Sequence, residues 1–232
     1  MSLSLREYSR VVFFTGAGLS AESGVPTYRG SGGIWDSYDY RDYACQSAFE
    51  RDPGKVLDFH EERRSVALSC EPNDAHRRIA RFASGSSSSL ILTQNIDGLQ
   101  QRAGAGRVLE LHGSLWRLRC DPCGKVREDL ASPQYSTRHC DCGRILRPDI
   151  VWFEDLLDSS LLESAVRAIS DCDCLLSVGT SASVYPAAEL PLIAMQAGAT
   201  TIEINLEETP LSPLYHHSLQ GKASEILSEL IS

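Results

Sequence analysis

Four cysteines carry the sharpest chemistry in the chain: Cys120-x-x-Cys123, sixteen residues, then Cys140-x-Cys142. Two close thiolate pairs suit a tetrahedral Zn²⁺, and four cysteines fill its coordination sphere, so the metal would hold structure rather than activate water. Pro122, Gly124 and Gly143 supply the turns that knuckles need, although the second pair is one residue tighter than the usual Cys-x-x-Cys. A second constellation, Thr15-Gly16-Ala17-Gly18-Leu19-Ser20-Ala21, directly follows the apolar run 11–14. It fits Gly-x-Gly-x-x-Gly/Ala at a strand-to-helix junction, where the first glycine permits a tight turn and the second lets backbone approach a pyrophosphate. The pattern also fits a merely structural glycine turn, and its strand context favours the dinucleotide. The ribose-binding acid of a dehydrogenase, about 20 residues on, is replaced here by the loop GVPTYRGSGGIW. Arg29 in that loop is either a phosphate ligand or a solvated surface cation.

Further polar residues fall just after apolar runs. Gln94, Asn95, Ile96 and Asp97 follow the run 90–93, at the end of a parallel strand where open α/β sheets bind ligands. Asn95 and Asp97 serve equally well as a helix cap. His112 and Gly113 follow the run 108–111. A lone histidine is more often a hydrogen-bonded structural residue, but convergence with the other strand ends points to a general base. Gly179, Thr180, Ser181 and Asn205 stand at two more such ends.

The elements that must position these groups alternate. Strands are expected at 11–14, 90–93, 108–111, 174–178 and 200–204. Helices are expected from Asp52-Pro53 to about 69, from Pro72, near 159–170, over 186–197 and near 223–231. Residues 20–50 look like a long functional loop with short helical pieces, and 84–89 (SGSSSS) like a flexible turn. Residues 114–148 are Cys- and Arg-rich with few large apolar side chains, as in a small metal-stapled insert. The fold class is therefore α/β: a Rossmann-like open parallel sheet with helices on both faces, plus a small zinc-binding domain inserted in the chain. The large domain would take about 1–30, 85–115 and 148–232, and the small one about 40–82 and 116–147.

The chain has 232 residues, 42% hydrophobic and 23% charged, ordinary for a globular protein. Its net charge of −9 argues against a duplex-DNA binder and admits a basic substrate. No apolar run approaches the ~20 residues of a membrane span, and the start, MSLSLREYSR, has no signal-peptide character. A cytoplasmic protein is expected, mitochondrial only if a presequence is missing. Cys45, Cys70, Cys172 and Cys174 are scattered and read as small buried apolar residues.

In this order the motifs resemble the sirtuins, NAD-dependent protein-lysine deacylases. The matching segments are GAGLSAESGVPTYRG (16–30), TQNIDGL (93–99), LHGS (111–114), the four cysteines, VWF (151–153), GTSASVYPA (179–187) and EIN (203–205). The resemblance implies NAD and an extended acyl-lysine peptide in a cleft between a Rossmann-like domain and a zinc-binding one. It places Gly16, Ala17, Gly18, Ser20, Ala21, Glu22, Arg29 and Trp35 at the phosphates and the mobile cofactor loop. Gln94, Asn95, Ile96 and Asp97 go to the nicotinamide end, with Asn95 and Asp97 also catalytic. Gly179, Thr180, Ser181, Asn205, Leu206, Glu207 and Ala223 go to the adenosine end. His112 becomes the base that helps a ribose hydroxyl attack an alkylimidate, giving nicotinamide, free lysine and O-acyl-ADP-ribose. Val151 and Phe153 would pair with the peptide by strand addition.

The segment SAESGVPTYRG resembles the class III branch, which includes desuccinylases and bacterial deacylases. That branch binds acidic acyl groups with Tyr-x-x-Arg on a helix; here Arg63 is retained and His60 replaces the tyrosine. Residues three apart share a helix face, so His60 and Arg63 are expected to act together on a succinyl or malonyl carboxylate, with acetyl also accepted. Glu61 and Glu62 are expected to point outward. The partners implied are acyl-lysine proteins or peptides, with no nucleic acid or membrane, and the protein is expected to be a monomer. The rivals are a non-enzymatic NAD- or ADP-ribose-binding zinc module acting as a sensor, an NAD-dependent ADP-ribosyltransferase and, last, an ordinary dehydrogenase.

Overall fold

The computed structural model describes residues 3–30, 32–86, 88–130 and 132–231. Ser87, within the expected turn 84–89, lies outside them. After a 3₁₀ turn over Leu5–Glu7 come β1 (Val11–Thr15) and α1 (Ala17–Ala21), followed by short helices α2 (Ile34–Ser37), α3 (Tyr40–Tyr43) and α4 (Gln46–Arg51). The long helix α5 (Pro53–Ser69) starts at the expected proline, with Asp52 capping Lys55 N. Next come α6 (Asp74–Ser84), β2 (Leu90–Thr93), α7 (Leu99–Arg102) and β3 (Val108–Glu110). Helix α6 begins two residues after Pro72 because Asn73 Oδ1 accepts from His76 N and sets the cap. Three strands follow: β4 (Gly113–Arg119), β5 (Val126–Glu128) and β6 (Arg147–Ile150). The chain closes through α8 (Ser159–Ser170), β7 (Cys174–Val178), α9 (Leu190–Gln196), β8 (Thr200–Asn205), β9 (His217–Gln220) and α10 (Ala223–Leu230). A 3₁₀ turn over Ala187–Glu189 takes the place of the first turn expected from residue 186.

The main sheet is parallel throughout, in the order β3-β2-β1-β7-β8-β9. Strands β1, β2 and β7 are buried at every residue, which explains their unbroken apolar runs. Side chains alternate between faces. Val11 and Phe13 pack with α6 and α10 through Ala75, Ile79, Leu227 and Leu230. Val12 and Phe14 pack with α8 and α9 through Ala165, Ile169, Leu190 and Ala194. From β1 the order runs outward in both directions, so β1 and β7 flank the switch point where such sheets bind ligands at their C-terminal ends. No helix among the described residues is long and apolar enough to cross a membrane.

The cysteine-rich insert is more ordered than its composition implies. It forms an antiparallel sheet, β5-β4-β6. Leu115, Trp116, Leu118, Leu146 and Ile150 pack there against α4 and α5 in a core of their own. The sheet begins at Gly113 and ends at Ile150, slightly outside the expected 116–147.

Arg64 ties α5 to this sheet from a fully buried position: Nη1 donates to Leu115 O at 2.7 Å and Nη2 to Asp129 Oδ1 at 2.9 Å. Its guanidinium lies 4.8 Å from the Trp116 ring centroid and 4.5 Å from that of Tyr135. Removing one partner of a buried pair strands the other, so Arg64→Met should cost about 3–5 kcal/mol in denaturant unfolding. A loss under about 1 kcal/mol would mean that the pair barely repays its own desolvation.

Candidate active site

The glycine turn and the end of β7 meet backbone to backbone. Gly16 N donates to Val178 O at 3.0 Å and Gly18 N to Gly179 O at 2.9 Å. A Cβ on Gly16 would lie 2.6 Å from Gly179 O, and one on Gly179 2.4 Å from Leu19 N. Gly179 also has φ +63°, which favours glycine. These glycines therefore let two strand ends meet at contact distance.

Ser20 is the hub of a buried polar network beside this contact. Its hydroxyl donates to Asp97 Oδ2 at 2.7 Å, so it can only accept from its other neighbours. Asn95 Nδ2 donates to it at 3.1 Å and to Gly16 O at 3.0 Å. His76 Nε2 stands 3.4 Å away as the remaining donor, which leaves Nδ1 bare, buried and unpartnered. Burial pushes the His76 pKa down to about 4, so the ring is neutral. Burial raises the Asp97 carboxyl, opposed by donation from Leu99 N at 2.8 Å and from Ser20. Trp116 Nε1 donates to Asp97 O at 2.8 Å and so anchors this corner to the small sheet. Sequence reasoning missed His76; a single histidine in the first turn of a helix carries no spacing signal.

His112 lies in the link between β3 and β4. Its Nδ1 sits 3.1 Å from Gln94 O. A carbonyl only accepts, so Nδ1 carries the proton and Nε2 the lone pair. Nε2 has no hydrogen bond among the described residues. Burial lowers the pKa below the ordinary 6.5, the Gln94 bond opposes this, and Arg29 lowers it further. A neutral imidazole with a free Nε2 is what a general base requires.

Ala17, Ser20, Tyr28, Asn95, Asp97 and Arg63 are among the residues lining one cleft. Arg29 is exposed, makes no ion pair among the described residues, and stands 5.7 Å from the Phe153 ring centroid. At the far end Asn205 Nδ2 donates to Thr180 O at 2.8 Å, beside exposed Ser181, Leu206 and Glu207. Ala223 opens α10, whose first turn is capped from across the molecule: Ser224 Oγ and N donate to Glu22 at 2.5 and 3.3 Å. Ala21 ends α1 beside it. Trp35 packs its ring against Phe59 and Phe153, at centroid distances of 6.1 Å and 5.8 Å. Val151 N donates to His112 O and Phe153 N to Ala44 O, each at 3.0 Å.

Arg63 reaches the cleft but His60 does not accompany it. The His60 ring is buried; Nδ1 donates to Val56 O at 2.8 Å and Nε2 accepts from Trp152 Nε1 at 3.4 Å. Burial pushes its pKa down to about 4. Both nitrogens are spent inside the fold, which corrects the expectation that residues 60 and 63 meet a ligand together. Of the two acids between them, Glu62 is exposed as expected, whereas Glu61 is largely covered. Glu61 turns against Arg138 (2.6 Å) and Tyr135 N (3.0 Å), while Glu62 folds back onto Arg63.

The four cysteine sulfurs lie within 4.8 Å of one another, with the Cys120–Cys142 pair at 3.5 Å and Cys123–Cys140 at 3.6 Å. A tetrahedral ion with ~2.3 Å Zn–S bonds needs sulfurs ~3.8 Å apart, so the cage fits zinc. Gly124 N donates to Cys120 O and Gly143 N to Cys140 O, each at 2.8 Å, which closes both knuckles. The tighter Cys-x-Cys pair fits because the turn falls at Gly143, just after Cys142.

Comparison with known proteins agrees with this geometry. The profile of the Sir2 family matches residues 16–186. The chain is 45% identical over 221 residues to the NAD-dependent protein deacylase 2 of Pyrobaculum aerophilum, covering 95% of this chain and 89% of the relative. It is 42% identical over 230 residues to the NAD-dependent protein deacylase 1 of Archaeoglobus fulgidus, covering 98% and 94%. Among solved structures, a mutant Sir2 homologue in complex with ADP-ribose superposes with a TM-score of 0.92 at 42% identity, covering 97% of this chain and 91% of the other. A Sir2 homologue–NAD complex gives 0.88 at 42% identity, covering 97% and 89%. With the switch-point glycines, the free histidine and the four-cysteine cage in place, the chain belongs to the Sir2 family.

Proposed function

We propose that this protein removes acyl groups from protein lysines, acidic acyl groups (succinyl, malonyl) as well as acetyl, with Arg63 as the one side chain that meets an acyl carboxylate. At family level the chain is an NAD-dependent protein deacylase, an enzyme that passes the acyl group to ADP-ribose. NAD supplies an electrophilic ribose carbon and a nicotinamide leaving group. His112 Nε2 takes the proton of a ribose hydroxyl. Asn95 and Asp97, locked through Ser20, shape the nicotinamide end. Arg29, free of any carboxylate partner among the described residues, is available to a phosphate. Thr180 and Asn205 shape the adenosine end. The peptide lies along residues 151–153. Cys120, Cys123, Cys140 and Cys142 would hold the zinc, away from the chemistry.

The observation that supports an enzyme over a sensor is the unengaged Nε2 of His112, which a binding module has no use for. The acid-accepting part rests on Arg63 alone: it lines the cleft, and its Nε–H is buried with no acceptor. An unmet buried donor costs about 1–3 kcal/mol, which an acyl oxygen would recover. The proposal includes a monomeric, cytoplasmic enzyme acting on acyl-lysine proteins, without nucleic-acid or membrane partners; a net charge of −9 supports the exclusion of nucleic acid.

Nicotinamide release from one peptide bearing succinyl-lysine or acetyl-lysine tests the reading. Arg63→Met should lower kcat/KM for the succinyl peptide about 10–100-fold, the scale of a hydrogen bond to a charged group, and affect the acetyl peptide far less. Indifference to the mutation would remove the acid pocket and keep the deacylase. No turnover of either peptide, with NAD still bound, would favour the sensor.

A further inference from the structure

We propose that Glu62 is a specificity-determining residue of the acyl site. Its carboxylate holds the Arg63 guanidinium as an internal counter-ion, and an acidic acyl chain must displace it, whereas an uncharged chain need not. This rests on the reading of Arg63 as the acyl-carboxylate ligand.

Arg63 stands between two spaces. On one side it lines the inner cleft with Asn95 and Asp97. On the other, Glu62 lines an outer groove with Tyr38, Tyr43, Asp58 and Phe59. The guanidinium carbon is 5.6 Å from the Tyr38 ring centroid and 5.3 Å from that of Phe59, which fixes its plane. Arg63 Nη2 donates to Glu62 Oε1, and Tyr38 Oη donates to Glu62 Oε2 at 3.4 Å, so the carboxylate is held from two sides. The Arg63 side chain is only 11% exposed, while that of Glu62 is 53% exposed and free to swing away.

The geometry of the fork makes this a direct competition. A carboxylate that binds an arginine side-on uses Nε–H together with the parallel N–H of Nη2. Glu62 already takes Nη2, and Nε is buried without an acceptor. An incoming succinyl or malonyl carboxylate thus finds half of that edge vacant and the other half occupied by a like charge. An acetyl group asks nothing of Nη2. Other charges facing Arg63 do not replace this contact: Asp97 lies across the cleft and gives its oxygens to Ser20 and Leu99 N, and Asp58 in the outer groove is spent on Arg138 at 2.6 Å.

The test is the ratio of kcat/KM for succinyl-lysine and acetyl-lysine forms of one peptide, with NAD, in five proteins: wild type, Glu62→Gln, Asp58→Asn, Arg63→Met and the double variant Arg63→Met/Glu62→Gln. Glu62→Gln should raise the succinyl-to-acetyl ratio about tenfold, the scale of one charge-assisted hydrogen bond regained. Asp58→Asn removes the same charge from the same groove and should move the ratio by less than about twofold, since an exposed charge that does not touch Arg63 is largely screened. In the Arg63→Met background the Glu62 substitution should no longer shift the ratio, because the two residues act through one contact. A ratio unmoved by Glu62→Gln overturns the proposal. So does an equal rise in Asp58→Asn, or a rise that survives without Arg63. If no protein turns over either peptide, the deacylase reading falls and takes this one with it; acetyl turnover with a ratio blind to Glu62 defeats this proposal alone. Glu62 is half-exposed and glutamine is isosteric, so a thermal midpoint near wild type will accompany the kinetics.

Discussion

Replacing His112 by alanine is expected to lower kcat about a hundred- to ten-thousand-fold while NAD binding survives, the range general-base catalysis supplies. The tautomer makes the case. Gln94 O accepts from Nδ1, so the lone pair is fixed on Nε2, and nothing among the described residues engages it. Burial disfavours the imidazolium and holds the pKa below 6.5. The neutral ring is the active form, so kcat/KM should fall as pH drops through that depressed pKa, with the acid limb below 6.5. The alanine variant should lose both the rate and this limb. Residual activity within about tenfold of wild type, or a limb lying above neutrality, would assign the base elsewhere.

The site sits where two elements with separate cores are joined. Asp97 is gripped by Ser20 on the α1 side and, through its carbonyl, by Trp116 of β4. His112 follows β3, and Gly113, next to it, pairs with Ile150 in the small sheet. The main sheet thus carries Asn95 and Asp97, and the link into the small sheet carries His112.

What the sequence disclosed follows from burial. Strands β1, β2 and β7 read clearly because nearly all their side chains are apolar and covered. Strand β9, His217–Gln220, was invisible: it is an edge strand, mostly exposed, with no apolar period. Strand β4 was hidden because arginines 117 and 119 interrupt its apolar residues and pair with acids on neighbouring segments. At the site, residue types at strand ends singled out Asn95, Asp97 and His112; the first two line one cleft, and His112 lies in the link between β3 and β4. The Ser20–His76 contact joins residues far apart in sequence and left no local trace. The fate of His60 and Glu62 could not be read either. Spacing places 60 and 63 together on one helix turn and sets 62 and 63 apart; packing against Trp152 drew His60 inward, and a bent arginine brought 62 and 63 together.

Stripping zinc should unfold the small sheet and abolish turnover, although no cysteine touches the cleft. β4 and β6 share a core with α4 and α5, but the outer part of the insert has little besides the cage holding it: β4 and β5 pair over three residues, His139 and Ile145 form an isolated bridge, and Val126, Leu130 and Ile145 are exposed. A structural zinc contributes an apparent ~10–16 kcal/mol in small peptides, as large as a whole domain's typical ~5–15 kcal/mol. The main sheet has its own two-sided core and should outlast the loss. Calorimetry after chelation should therefore show a main transition persisting and a second one lost, restored by added Zn²⁺, with Cys123→Ser behaving as the chelated protein does. Activity should vanish with the small-sheet transition, because Trp116 then no longer holds Asp97 and the link carrying His112 loses its anchor at Ile150. Chelated protein that keeps wild-type turnover would show that the cage is dispensable to the cleft, and the coupling through Trp116 and Gly113 would have to be abandoned.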